Sequence, residues 1–116
     1  MDVKEFYKAI NGNYDNALSI MMNDNLIAKM ITKFMNNNSL NEIISFYEQK
    51  DYRNLFLSAH AFKGVTGNLA LTPLFELSSK ITEATRNSDG ANLDNEIKEL
   101  KEAYSLIEIN CAKYIV

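Results

Sequence analysis

Apolar residues recur at helical spacing through almost the whole chain, and this period constrains the fold more than any other feature of the sequence. The clearest case is the last segment, where apolar side chains alternate four and three residues apart over about twenty positions. They are Leu93, Ile97, Leu100, Tyr104, Ile107, Cys111 and Tyr114. A helix with one such stripe needs other helices to pack against. The four glycines and one proline of the chain offer little turn chemistry for a β-rich fold.

Two helix starts can be recognised before that segment. Thr72 is a candidate N-cap with Pro73 at the first helical position, and the helix that it opens is expected to end near the turn residues at 87–90. Ser39 and Glu42 form a capping-box pattern, in which each side chain binds a free backbone N–H at the helix start. Short connections therefore separate successive amphipathic helices.

The only histidine of the chain, His60, lies in a helix that follows a predicted tight turn at residues 50–51. The apolar face of this helix repeats at intervals of four, three and four residues. It consists of Leu55, Ala59, Phe62 and Thr66. Further helical segments are predicted upstream, at 6–10, 14–22 and 27–34.

Short connections between amphipathic helices favour antiparallel neighbours. We therefore predict an all-α fold, an up-down antiparallel four-helix bundle with an N-terminal helical extension. The chain has 116 residues, of which 47% are hydrophobic, and it shows no low-complexity linker and no break in composition. Residues 1–116 are therefore expected to form a single domain that folds around one core.

Composition argues against several functional classes. The net charge is -3, with acidic and basic residues interspersed, so no basic surface for nucleic acid is expected. No apolar run approaches the roughly 18 residues of a membrane-spanning helix, so no direct membrane insertion is expected. Cys111 is the only cysteine and cannot form an intramolecular disulfide, which, without a signal-peptide pattern, favours the cytoplasm. A monomer is the default expectation.

Residues 59–70 read AHAFKGVTGNLA and place unusual neighbours around His60. Residues three, four and seven positions along a helix lie on or beside the same face, so Lys63, Gly64 and Gly67 surround the imidazole. Glycine inside a helix costs roughly 1 kcal/mol relative to alanine. Because His60 lies off the apolar stripe, we expect its ring at the bundle surface, with a cation beside it and space cleared next to it.

This pattern fits nucleophilic attack by imidazole on a phosphoryl group. Phosphoryl transfer depends on positioning and on stabilisation of the charge on the phosphoryl oxygens. Lys63 would supply the charge, and Gly64 and Gly67 the room for donor and acceptor. A substantial fraction of histidine side chains is neutral and nucleophilic at pH 7.

Other interpretations are weaker. A lone histidine is most often a polar residue without a catalytic role, but the two costly glycines and the lysine favour a functional one. One histidine without a CxxC pair does not form a recognisable metal site. The chain lacks a P-loop or other Gly-rich nucleotide-binding sequence, so neither a cofactor nor autonomous kinase activity is expected. The methionines between 21 and 35 could form an adaptable binding groove, but at helical spacing such residues more often belong to the core.

AHAFKG followed by VTGNLALTPL resembles the phosphoacceptor motif of the histidine-containing phosphotransfer (HPt) domain, A-H-x-L-K-G-x-x-x-N-L-G-x-x-x-L. Phe62 stands where leucine is common, and Ala70 where glycine is common. The resemblance implies a four-helix bundle in which His60 is phosphorylated, Lys63 stabilises the phosphoryl charge and Gly64 leaves space for the partner. No metal or cofactor is implied.

The resemblance also implies a place in two-component signalling. His60 would accept a phosphoryl group from the aspartate of a response-regulator receiver domain and pass it on. A sensor histidine kinase, hybrid or not, would supply the phosphoryl group to the relay. Phe56 and Gly67 are candidate partner contacts, although Phe56 could equally belong to the core. Two alternatives are a pseudo-HPt adaptor that binds receivers without being phosphorylated and a purely structural helical bundle.

Overall fold

The computed structural model describes residues 1–90 and 92–115, and this part of the chain forms seven α-helices and no strand. The helices are α1 (Val3–Ala9), α2 (Tyr14–Met21), α3 (Asp24–Met35), α4 (Ser39–Glu48), α5 (Tyr52–Asn68), α6 (Thr72–Ala84) and α7 (Asp94–Tyr114). The predicted all-α class is confirmed. No described helix is both long enough and apolar enough to cross a bilayer.

Helices α5 and α6 form an antiparallel hairpin. Near the connecting turn, Phe75 of α6 lies against Gly67 of α5. At the opposite end of the hairpin, the Arg86 guanidinium, just beyond α6, lies over the ring of Phe56. The end of α5 therefore lies beside the start of α6, and the start of α5 lies beside the end of α6. The two helices are antiparallel, as the short connection predicts.

Helix α4 packs against α5, and the ends of α3 and α4 are each joined to α7 by a tyrosine hydrogen bond. Near the middle of α7, the Tyr104 hydroxyl donates to the Met35 carbonyl at 3.2 Å. At the start of α7, the Tyr47 hydroxyl donates to Asp94 Oδ1 at 2.5 Å. The residue numbers rise along α3 and α4 as they fall along α7, so the packing is antiparallel.

The N-terminal extension, which consists of α1 and α2, covers the end of the bundle at which a turn connects α5 to α6. The Tyr7 hydroxyl donates to the Leu69 carbonyl at 2.6 Å, and the Asn13 N–H donates to the Ala70 carbonyl at 3.0 Å. Burial of Tyr7 raises the pKa of its hydroxyl far above the usual tyrosine value. Ala70 itself has a φ of 52°, in the left-handed region that glycine adopts most easily.

The core contains the stripes that the helical spacing predicts. Every residue of the α5 stripe is buried, and the Thr66 hydroxyl donates to the Phe62 carbonyl at 2.8 Å, which satisfies it inside the core. The α7 stripe is buried or packed against the core along its length. Asn110 is a buried polar residue of α7 that the apolar pattern does not predict, and its side-chain amide donates to the Leu106 carbonyl.

Two predicted caps are wrong. Ser39 is the first residue of α4 rather than its N-cap, and Asn38, which takes that position, makes no side-chain capping bond. Thr72 is likewise the first residue of α6, after the N-cap Leu71. Leu71 is fully buried and its N–H donates to the Thr66 carbonyl, so the core contact of this leucine fixes where α6 begins.

Replacing Tyr7 with phenylalanine should destabilise the fold although it removes only one oxygen atom. The Tyr7→Phe variant loses the bond to the Leu69 carbonyl and leaves that acceptor buried without its donor. We expect the free energy of unfolding to fall by about 1–3 kcal/mol. Urea denaturation followed by circular dichroism measures the change.

Tyr14→Phe is the matched control. The Tyr14 hydroxyl donates to Asp24 Oδ1 at 2.7 Å near the surface, where water can replace the lost partner. We expect a smaller loss of stability than for Tyr7→Phe. Equal losses in the two variants would contradict the stabilising role of the Tyr7 bond at the α5–α6 turn.

Candidate functional site

Helix α5 presents His60 at the surface because local signals fix its start and its buried face. Lys50 has a φ of 58°, which reverses the chain after α4, and the Asp51 carboxylate caps α5 by accepting from the Asn54 N–H at 3.3 Å. The helix then continues without interruption through both glycines to Asn68. Since its apolar face is buried in the bundle, His60 lies on the exposed side, as predicted.

The imidazole of His60 lies against an aromatic ring of its own helix. The rings of Phe56 and His60 are nearly parallel, with an interplanar angle of 11° and 5.8 Å between their centroids. The four-residue spacing places the two side chains on the same face of α5. Phe56 itself is half-buried.

Lys63 provides a cation on the same face of α5, one helical turn beyond His60. Its Nζ lies 5.9 Å from the centroid of the Phe75 ring, a cation–π contact with α6. The Arg86 guanidinium, which is hydrogen-bonded to the Glu83 carboxylate, lowers the pKa of Glu83, and the charge of Lys63 contributes in the same direction. Lys63 is therefore held beside the hairpin and its ammonium group stays near the surface.

An ion pair on the α6 side lies beside Phe56. Arg86 Nη2 lies 2.5 Å from Glu83 Oε1, and Arg86 Nε lies 3.2 Å from Glu83 Oε2. The Arg86 guanidinium carbon is 5.8 Å from the centroid of the Phe56 ring. These residues are absent from the sequence-based prediction because their nearness to Phe56 depends on how α5 and α6 pack. The three-residue spacing of Glu83 and Arg86 indicates only an ion pair.

The two glycines near His60 have different surroundings. A Cβ atom added at Gly64 would have nothing within 4 Å, so the fold itself does not require glycine there. A Cβ atom added at Gly67 would lie 3.1 Å from two ring carbons of Phe75. Gly67 thus allows α6 to approach α5 closely, whereas Gly64 leaves open space beside the imidazole.

A shallow depression brings together the residues predicted from the motif. Its lining consists of His60, Lys63, Gly64, Gly67, Asn68 and Phe75. Phe56 lies beside this depression rather than in its lining. The depression therefore joins the imidazole, a cation and an aromatic ring on one exposed surface.

An apolar groove lies next to the depression and shares Asn68 with it. Met21 and Met30 line the groove opposite Val65 of α5. Both methionines are also half-buried against the core, as the core interpretation predicts. Met22, in contrast, is 79% exposed.

Other chemically active groups lie elsewhere. Burial raises the pKa of the Cys111 thiol to about 11, so the thiol stays protonated at neutral pH. Among the described residues, no group of three or more histidine, cysteine, aspartate or glutamate side chains is arranged to hold a metal ion.

Comparison with known proteins adds a family match. The family model described as Hpt domain matches residues 22–108, which is most of the chain and includes the whole of α5. A search of curated proteins and a search of solved structures each gave no significant match. The matched range begins at Met22, directly after the last residue of α2, and α3 starts two residues later.

Alanine at Gly64 and alanine at Gly67 should differ in their effect on stability. Neither glycine has a positive φ, so alanine fits both backbones and is the better helix former by roughly 1 kcal/mol. Gly64→Ala should keep that gain, whereas Gly67→Ala should lose part or all of it because the Phe75 ring has to move. Urea denaturation of both variants measures the difference, and a larger gain at Gly67 would contradict the packing described here.

Proposed function

The chain belongs to the Hpt domain family, whose members carry phosphoryl groups in two-component signalling, and from this premise we propose that His60 is the phosphoryl acceptor. The observation that supports the assignment best is the exposed imidazole on α5, with Lys63 beside it and open space over Gly64. His60 is also the only histidine of the chain and lies inside the matched range.

The transfer is a displacement at phosphorus. The lone pair of one ring nitrogen of neutral His60 attacks the phosphorus of an aspartyl phosphate on a receiver domain. A P–N bond forms while the P–O bond to the aspartyl oxygen breaks, and the electron pair of that bond leaves with the aspartate carboxylate. The other ring nitrogen, which bears a proton, releases it to water when the product returns to its neutral form. The reverse sequence passes the group to the aspartate of a second receiver.

Lys63 stabilises the negative charge that the phosphoryl group brings to this surface. Its ammonium group lines the same depression as the imidazole and comes from the same face of α5. The cation–π contact with Phe75 holds the lysine near the surface without neutralising it, since the ring carries no charge. A short movement of a flexible side chain then brings Nζ to the phosphoryl oxygens.

Gly64 provides the clearance that a receiver needs. An in-line displacement requires the His60 nitrogen and the aspartyl oxygen to lie on opposite sides of the phosphorus, so the receiver must come close to the helix. The absent side chain at Gly64 makes this approach possible, and the fold gives no other reason for glycine at this position.

Receiver domains of response regulators are the proposed partners, with a hybrid or separate sensor histidine kinase at the head of the relay. The exposed side of α5 next to His60 presents Leu57, which is 53% exposed, and Val65, which is 43% exposed. Exposed apolar residues on one surface are typical of protein-binding sites. Gly67 lies beside His60 and completes the proposed contact surface. The protein is proposed to act in the cytoplasm as a carrier without kinase activity of its own.

Replacing His60 with glutamine should abolish phosphorylation without unfolding the protein. The exposed ring contributes little to the buried core, so the His60→Gln variant should keep the helical circular dichroism and the unfolding midpoint of the parent protein. The parent protein, incubated with a phosphorylated receiver domain, should acquire label that is labile in acid and stable in base. The variant should acquire none.

Three results would contradict the assignment. Label that persists in His60→Gln would place the acceptor elsewhere, and an unfolded variant would show that His60 is structural. A parent protein that binds receivers but takes no label from any of them would indicate an adaptor rather than a carrier.

Replacing Lys63 with alanine should slow transfer. The variant loses the cation nearest the imidazole along α5 but keeps the fold, so we expect the rate at saturating receiver to fall by about tenfold or more. Lys63→Arg keeps the charge and should recover part of the rate. Rapid-quench measurement of labelled His60 gives both rates, and an unchanged rate in Lys63→Ala would refute the charge-stabilising role.

A further inference from the structure

We propose that Phe56 is a positioning residue for phosphotransfer, holding the plane of the His60 imidazole so that its attacking nitrogen faces the incoming phosphorus. This inference rests on the proposed function of His60. It assigns to Phe56 a role different from both earlier interpretations, which were a partner contact and a core residue. The nearly parallel rings of Phe56 and His60 provide its geometric basis.

The direction of attack depends on the ring plane. The lone pair of an unprotonated imidazole nitrogen lies in the plane of the ring, so the attacked phosphorus must lie in that plane as well. An exposed histidine can rotate about the bond between Cβ and Cγ, and the ring then points its nitrogen in many directions. The Phe56 ring, 5.8 Å away at an angle of 11°, favours one plane of the imidazole.

The surroundings of Phe56 distinguish it from the core residues of α5. Leu55, Ala59 and Phe62 are at most 2% exposed and pack inside the bundle. Phe56 is only half-buried, and its ring contacts are an imidazole on one side chain and a guanidinium on another. A half-buried ring that lies near both an imidazole and a guanidinium fits a positioning role better than a packing role.

Arg86 fixes the Phe56 ring from the other helix of the hairpin. Its guanidinium carbon lies 5.8 Å from the ring centroid, and its two bonds to Glu83 restrict where the guanidinium can move. Phe56 is therefore held by its own helix through the backbone and by the end of α6 through a cation–π contact. The orientation of the His60 ring is in this way tied to the packing of α5 against α6.

The test compares Phe56→Leu with the parent protein. Leucine keeps the apolar bulk but has no ring plane to hold the imidazole. We expect the transfer rate from a saturating phosphorylated receiver to fall by about three- to tenfold, the size expected for the loss of one aromatic pair. The dissociation constant for the receiver, measured by calorimetry, should stay within twofold of the parent value. The unfolding midpoint should stay within a few degrees of the parent value.

Two further variants separate positioning from other roles. Phe56→Tyr keeps the ring plane and should transfer at close to the parent rate. Phe46→Leu makes the same change at a half-buried phenylalanine near the α4–α5 turn, where its carbonyl accepts from the Asp51 N–H, and it should leave the transfer rate unchanged. A slow Phe46→Leu variant would show that loss of any aromatic residue slows transfer and would overturn the inference.

The contribution of Arg86 can be tested in the same assay. If Arg86 acts through Phe56, Arg86→Gln should slow transfer on its own, and the double variant with Phe56→Leu should be no slower than Phe56→Leu alone. Effects that multiply in the double variant would show that Arg86 acts separately, and would overturn its assigned role.

The remaining outcomes are distinct from a failure of the proposed function. A weakened dissociation constant with an unchanged saturated rate would make Phe56 a docking residue, and an unchanged rate and affinity would remove it from the site; each overturns the positioning role while His60 still takes label. If the parent protein takes no label from any receiver, the proposed function fails first, and the inference that rests on it fails as well.

Discussion

The burial of one face of α5 is the constraint on which the rest of the structure depends. Leu55, Ala59, Phe62 and Thr66 are enclosed by the bundle, and this enclosure fixes the rotation of the helix about its axis. His60, Lys63 and Gly64 are attached to the same rigid helix, so that rotation also determines which of them reach solvent. Core packing and the exposed site are thus two faces of one helix.

The close approach of α6 then forms the second side of the site, opposite α5. Gly67 allows the Phe75 ring to lie against α5, and Phe75 in turn lies near the Lys63 ammonium group. At the other end of the hairpin, Arg86 lies over Phe56. Both aromatic contacts involve a cation and both join the two helices, so the polar groups around His60 are arranged by the packing of the hairpin.

The sequence predicts the helices and the centre of the site better than it predicts their surroundings. Stripes at helical spacing identify the buried faces, and positions within one helix place Lys63 and Gly64 beside His60, because these relations need only the helical period. The helices for which Ser39 and Thr72 are the predicted N-caps each begin one residue earlier, with Asn38 and the buried Leu71 at the N-cap positions. The contacts of Arg86 and Tyr7 depend on tertiary packing across many residues, which local spacing does not contain.

The bonds that Tyr7 and Asn13 make to the α5–α6 turn join the motif helix to a segment outside the range that the family model matches, which begins at residue 22. The histidine lies inside the matched range, and a segment outside it fastens the hairpin on which the histidine lies. Substitutions in the first turns of the chain can therefore adjust the rigidity of the site while every residue of the family motif stays the same.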